Sequence, residues 1–358
     1  MSEHRFIRAL LRQPVDKTPI WLMRQAGRYL PEYRALRQKE PNFLKFCQNP
    51  ILASEATLQP LNRFPLDAAI IFSDILVIPH AYGMALDFLE GEGPCFAVPV
   101  RTEAMIKQLP VIDPEIKLHY VMETIRLVKK ELKNRVPLIG FAGSPWTIAT
   151  YMIEGKGSKS FSQIKKMRYQ EPAVLAQLLS HLSESVSDYL IAQIKAGVDA
   201  VMVFDTWGGV LSPEDYLVYS LHYLERIVKK IQNVFNNQKI PIILFTKGVG
   251  KNITEMAKTG CDAVGVDWML SLKEALQLTR NTVALQGNID PAVLYGNKKT
   301  IQEAVIRALD SYGSMPGHVF NLGHGMHPDI DPDKVAYLVE QVHALSLPYH
   351  QRMVAACP

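Results

Sequence analysis

Four arginines, Arg24, Arg28, Arg34 and Arg37, fall within fourteen residues of the segment WLMRQAGRYLPEYRALR at 21–37. A guanidinium holds a carboxylate or phosphate in a planar two-point pair that lysine cannot make, so the cluster suits an acidic small molecule. The flanking Trp21, Leu22, Met23 and Tyr29 draw the segment toward the interior, against the alternative of a solvated charged surface. Asp74 closes the run DAAIIFSD. A carboxylate there could act as general acid or base, ligate a metal, face cations and N–H groups as a fixed anion, or simply cap the segment that follows. His324 stands in Gly-His-Gly-Met-His, where a neutral imidazole could donate to a carbonyl or carboxylate. Its spacing to His327 copies a metal pair, but the glycines make the stretch a loop, where spacing carries little information. The other acidic candidates at strand ends, Asp205 and Asp267, have no cysteine beside them, so a metal is not favoured. Tyr151 and Thr206 supply a phenol and a hydroxyl that could bind an anion, or could pack and cap.

The elements that must position these groups are short apolar runs alternating with helices. Pro19–Met23 reads as a buried strand, with Arg24 at its end, Gly27 allowing a tight loop and Pro31 beginning a helix beside Glu32. The arginines would then converge from a strand end, a loop and a helix start. Eight such runs recur: Ile20–Met23, Ala68–Phe72, Leu138–Ala142, Ala200–Phe204, Pro241–Phe245, Ala263–Val266, Val283–Leu285 and His318–Asn321. Near-continuous apolar strands followed by helices indicate a parallel sheet covered on both faces. The expectation is an α/β chain forming a single (β/α)8 TIM-type barrel over 1–358, its active site at the C-terminal ends of the strands. A doubly wound sheet would carry Gly-x-Gly-x-x-Gly after its first strand, and none is present. The expected strand ends present Arg24, Asp74, Ser144, Asp205 to Gly209, Lys247, Asp267, Trp268, Asn288 and His324, a polar mouth able to take a broad anionic ligand. Helices are expected over Ser183–Lys195 with Gly197 as stop, over Pro213–Gln232 capped by Ser212, and from Pro332 through Leu345. The long segments Ile75–Pro137 and Gly143–Asp199 must hold extra rim elements.

Composition narrows the classes. An apolar content of 48% over 358 residues supports a large core, and a net charge of +4 without any long lysine/arginine block gives no footprint for nucleic acid. Cys47, Cys95, Cys261 and Cys357 lie far apart with no Cys-x-x-Cys, which suits a reducing compartment and no thiolate metal site. No run is long and apolar enough for a membrane span, and the N-terminus lacks a signal-peptide pattern, so a cytoplasmic protein is expected.

Five stretches together resemble the uroporphyrinogen decarboxylase family: PIWLMRQAGRYLPEYR at 19–34, FPLDAAIIFSDIL at 64–76, GFAGSPWTIATYMIEG at 140–155, FDTWGG at 204–209 and FNLGHG at 320–325. Thr206 departs from the family's usual serine but keeps the hydroxyl. The resemblance implies a carboxy-lyase of porphyrin and haem biosynthesis that needs no cofactor and no metal. Its substrate would be uroporphyrinogen, an anionic tetrapyrrole, and the enzyme a homodimer. It implies substrate contacts at Arg24, Gln25, Ala26, Gly27, Arg28, Arg37, Phe43, Asp74, Tyr151, Thr206 and His324. Asp74 is expected to stabilise a cationic intermediate, with Arg24 and Arg28 completing the catalytic set. Two rivals are weighed: a zinc-dependent methyltransferase on a related barrel, which would need a strand-end cysteine, and a non-catalytic tetrapyrrole carrier.

Overall fold

The structure is a computed structural model that describes residues 4–89 and 93–355; Cys357 lies outside them. Its nine strands are β1 Ala69–Ile70, β2 Leu86–Leu89, β3 Gly93–Phe96, β4 Leu138–Gly143, β5 Ala200–Asp205, β6 Ile242–Thr246, β7 Ala263–Gly265, β8 Ala284–Ile289 and β9 His318–Leu322. Seven of them form one curled parallel sheet in the order β1-β4-β5-β6-β7-β8-β9. β2 and β3 make a separate antiparallel hairpin on the rim. The sheet strands are buried along almost their whole length, which is why they read as unbroken apolar runs rather than alternating ones.

The first expected strand shrinks to one bridge, Ile20 with Phe320 of β9. Beyond Ile20 and Trp21, side chains replace the ladder. Leu22 N–H donates to the Gln25 amide oxygen, and Met23 N–H to Oδ1 of Asn321. The extended segment 19–23 nevertheless touches both edges of the sheet: Phe320 N–H donates to Pro19 O at 2.8 Å, and Asp67 N–H, just before β1, donates to Ile20 O at 2.8 Å. The buried Asp67 carboxylate secures this junction. It accepts from Ile20 N–H (2.8 Å), from Nη1 of Arg5 (2.7 Å) and from Nε2 of His343 (2.7 Å).

Helices cover the outer face and begin where local chemistry dictates. Pro145–Glu154 starts with Ser144, whose hydroxyl accepts from Thr147 N–H, and ends at the left-handed Gly155. Gly197, at φ +118°, stops Pro172–Ala196 as expected, although that helix begins earlier than its sequence pattern suggests. The expected helix over 213–232 is broken into Pro213–Tyr216, a π turn at Leu217–Leu221 and His222–Val234. The widened turn carries Ser220 onto Asp205, 2.6 Å away, and such turns commonly serve to re-aim a side chain. The last helix, Pro332–Ala355, runs past Leu345 and includes Pro348.

Candidate active site

The carboxyl ends of the parallel strands open on one mouth. At its closing edge the chain turns sharply after Met23, and the residue in the left-handed region is Arg24, at φ +61°, rather than the expected Gly27. A non-glycine residue held there costs free energy that only surrounding contacts offset, and such positions cluster at functional sites. The contacts are explicit. Gln25 is buried, its amide accepting from Leu22 N–H and donating to Ala68 O, while Tyr29 O–H donates to Gln25 O at 2.8 Å. Gln25 thus holds the turn with its side chain, and Ala26 and Gly27 stay half-exposed.

The four arginines do not converge. Arg34 donates to the carbonyls of Arg28 and Tyr29, and Arg37 to those of Glu40 and Pro41, with its guanidinium over Phe46 at 4.9 Å and Phe43 at 5.5 Å. These two fasten the loop backbone. Arg24 and Arg28 remain exposed, with no ion pair among the described residues, and are the ones left to meet an anion. Phe43 packs on Phe88 of the hairpin at 4.6 Å and forms an aromatic wall with Phe72.

Arg24 lies along Gly325. A Cβ built at that glycine would stand 2.4 Å from Cδ of Arg24, 2.7 Å from Cγ and 2.8 Å from Nε. Gly325→Ala should therefore displace the guanidinium while leaving the fold alone. We expect kcat/KM to fall by about a hundredfold, the usual consequence of moving a positioned group by an ångström, at an unchanged melting temperature. Steady-state assays beside thermal denaturation check it, and wild-type kinetics would refute the packing argument.

Asp74 follows β1. Leu76 N–H donates to its Oδ1 at 2.8 Å, while Oδ2 has no hydrogen-bond partner among the described residues. Burial pushes this carboxyl up to about 6, against the pull of Leu76 N–H and the Arg24 charge. Tyr151, half-buried on the helix after β4, feels both Asp74 and Arg24; burial raises its phenol, and Trp207 packs on it with ring centroids 6.1 Å apart. His324 feels the charges of both Arg24 and Lys247. Burial first, and then these two cations with His327, lower it to about 4, so its imidazole is neutral at pH 7. Asp74, Tyr151 and His324 therefore all lie within electrostatic reach of Arg24.

Asp205 and Asp267 are committed elsewhere. Asp205 is fully buried and ringed by hydroxyls: Ser144 at 2.6 Å, Thr147 at 2.8 Å, Ser220 at 2.6 Å and Thr246 at 3.5 Å. That knot ties the end of β5, which carries half-buried Thr206, to the helix bearing Tyr151, and Thr147 also accepts from Trp207 N–H. Asp267 accepts from Gly248 and Met269 N–H. His327 turns to Tyr295 at 3.0 Å, so the His-x-x-His pair does not converge. Among the described residues no three histidine, cysteine or acidic groups gather as a metal would require, and no helix is long and apolar enough to cross a membrane. Sequence reasoning named Lys247 only as a strand-end residue. The structure brings its charge within reach of His324 and its ammonium 5.7 Å from the Trp268 ring centroid, a place its position after the apolar run of β6 already signals.

Three comparisons bear on the chain. The profile of a family described as Uroporphyrinogen decarboxylase (URO-D) matches residues 1–345. A relative of that name from Klebsiella pneumoniae is 54% identical over 351 residues, covering 98% of this chain and 99% of the relative. Another, from Nitrosococcus oceani, is 56% identical over 350 residues, covering 98% of each. Among solved structures, a methyltransferase from Methanosarcina mazei superposes with a TM-score of 0.79 at 20% identity, covering 95% of this chain and 98% of that one. A B12-independent methionine synthase from Shewanella sp. W3-18-1 gives 0.56 at 12%, covering 85% and 89%. At such identities these two speak for the fold alone.

Proposed function

The chain belongs to the uroporphyrinogen decarboxylase family, and on that footing we propose how its residues carry the reaction. It is a carboxy-lyase that converts the four acetate side chains of uroporphyrinogen III to methyls, giving coproporphyrinogen III in porphyrin biosynthesis. Losing CO2 directly from a pyrrole acetate would leave an unstabilised carbanion. A proton added first to the adjacent ring carbon gives an iminium-like cation. The electrons of the breaking C–C bond flow into that cation as CO2 departs, leaving an exocyclic methylene. A second proton taken up on the methylene, and release of the ring proton, restore the pyrrole with a methyl group. Each cycle consumes one proton and one carboxylate and releases one CO2.

Positive charge develops on the pyrrole, so a carboxylate already in place stabilises the transition state more than the bound substrate. Asp74 is that group: its unclaimed Oδ2 faces pyrrole N–H groups while the charge opposes the cation. The observation that supports the reading is this half-free carboxylate, within electrostatic reach of Arg24 and Tyr151. Arg24 and Arg28 hold substrate carboxylates, and Arg24, or a water it binds, delivers the first proton. Tyr151, Thr206, neutral His324, the 26–27 backbone and the Phe43 wall complete the pocket. Arg37 acts through the loop it fastens. No cofactor is needed, because the pyrrole is its own electron sink. We read segment 19–23 as the eighth strand of a (β/α)8 barrel and residues 1–358 as one domain; its hydrogen bonds to both sheet edges support this. We extend the reading to a cytoplasmic homodimer on the family resemblance alone.

The test is the pH dependence of CO2 release from uroporphyrinogen III. Asp74 works as an anion, and its value of about 6 lies above the ordinary 3.8. The activity it supports is therefore present above pH 6 and lost as pH falls through it. We expect an acid limb in kcat/KM with its midpoint near 6, falling about tenfold per pH unit below it. A limb centred near 4, where His324 titrates, would remove Asp74 from the role.

A further inference from the structure

The mouth holds a third free cation, and its place in the sheet is telling. Segment 19–23, which carries Arg24 and Arg28, lies where the two edges of the curled sheet meet, against β9 and the entry to β1. β6 is the middle strand of the seven, equally far from both edges. On the eight-stranded reading, Lys247, the residue after β6, falls opposite the segment that carries Arg24 and Arg28. The His324 ring is 6.1 Å from that of Phe245 on β6, and it senses both Arg24 and Lys247.

Lys247 is half-buried and has no ion pair among the described residues. Its backbone is fixed, with its N–H donating to Asp205 O at 3.2 Å and the next N–H, of Gly248, to Asp267. Its ammonium stands 5.7 Å from the centroid of the Trp268 ring. The neighbouring carboxylates are all engaged: Asp205 by hydroxyls, Asp267 by backbone N–H groups. A half-buried ammonium without a counterion, held against an aromatic face, is poised for an anion arriving with the ligand.

We propose that Lys247 grips a carboxylate on the edge of the macrocycle opposite the one held by Arg24 and Arg28. The inference rests on the functional reading above. A porphyrinogen carries carboxylates around its whole perimeter, and a cavity cationic on one side only would leave the far carboxylates without partners. Cations on opposite walls span the ring instead and centre its pyrroles over Asp74.

Lys247→Met keeps the aliphatic length over Trp268 and removes the charge; Lys247→Arg restores it. A charge-assisted contact of this kind predicts a rise in KM for uroporphyrinogen III of roughly ten- to hundredfold. We expect kcat within about threefold of wild type, partial recovery of KM in Lys247→Arg, and unchanged thermal stability. Binding of the stable oxidised ligand uroporphyrin I, followed by tryptophan fluorescence, should weaken in parallel. Lys247→Met with wild-type KM and wild-type uroporphyrin affinity overturns the proposal. A collapse of kcat at unchanged KM also overturns it, since that would make Lys247 part of the chemistry rather than an anchor. Absence of CO2 release by the wild type would instead strike the functional reading, and the uroporphyrin affinities would still decide on Lys247.

Discussion

Asp74→Asn is expected to leave a folded protein that binds uroporphyrinogen and decarboxylates it about a hundred to a thousand times more slowly. The carboxamide has nearly the same shape, and its oxygen can still accept from Leu76 N–H, which donates to Oδ1 at 2.8 Å in the native chain. What disappears is the negative charge that the proposed role sets against the cationic pyrrole. About 3 kcal/mol of barrier is the usual scale for losing a group preorganised against a developing charge. The effect should fall on kcat, because the uncharged pyrrole of the bound substrate gains far less from the carboxylate than the cation does. Single-turnover CO2 release, with circular dichroism to show the fold intact, is the measurement. Turnover within threefold of wild type would mean that the cation is stabilised by something else.

The second large effect concerns stability. Asp67→Ala should destabilise the chain by about 3 kcal/mol, the lower end of what breaking a buried ion pair costs. The side chain is 5% exposed and joins three distant pieces: Ile20 of the closing segment, Arg5 of the first helix and His343 of the last. Its loss would strand Ile20 N–H in the interior and take the shared acceptor from two cationic or polar partners. Arg5 keeps Asp16, at 2.8 Å, which limits the penalty. Burial alone would raise the Asp67 carboxyl, but His343, Ile20 N–H and Arg5 together hold it below its ordinary 3.8. The stabilisation is accordingly present above that ordinary value and lost as pH falls through the depressed one. Urea unfolding at pH 7 and at pH 3 checks both statements. A variant as stable as wild type at pH 7 would show that this junction is not what closes the sheet.

Much of this architecture is legible in the amino-acid sequence. Apolar runs such as DAAIIF and AVMVFD, each followed by polar or glycine-rich residues, reveal the parallel strands, because a strand buried on both faces has no polar side to alternate. Helix boundaries at Ser212 and Gly197 are legible too, since capping is chemistry between near neighbours. Asp74, Thr206 and His324 can be named as strand-end groups from the apolar runs before them, and Tyr151 as a residue on the helix just beyond one. The division of labour among the arginines cannot. Whether Arg34 and Arg37 meet a ligand or fasten backbone depends on where Arg28 O, Glu40 O and Pro41 O come to rest. The left-handed turn at Arg24 depends on Ala68 and Gly325 for its support, and neither is near it in sequence. The hydroxyl ring about Asp205 needs a π turn that no periodicity announces. Lys247 and Arg24, on elements far apart in the chain, both reach His324 only because the sheet curls. Local preferences act between residues a few positions apart and so are written in the sequence. A cavity is a set of distances between residues hundreds of positions apart, such as Asp67 and His343 with 276 between them, and only packing the whole chain sets those distances.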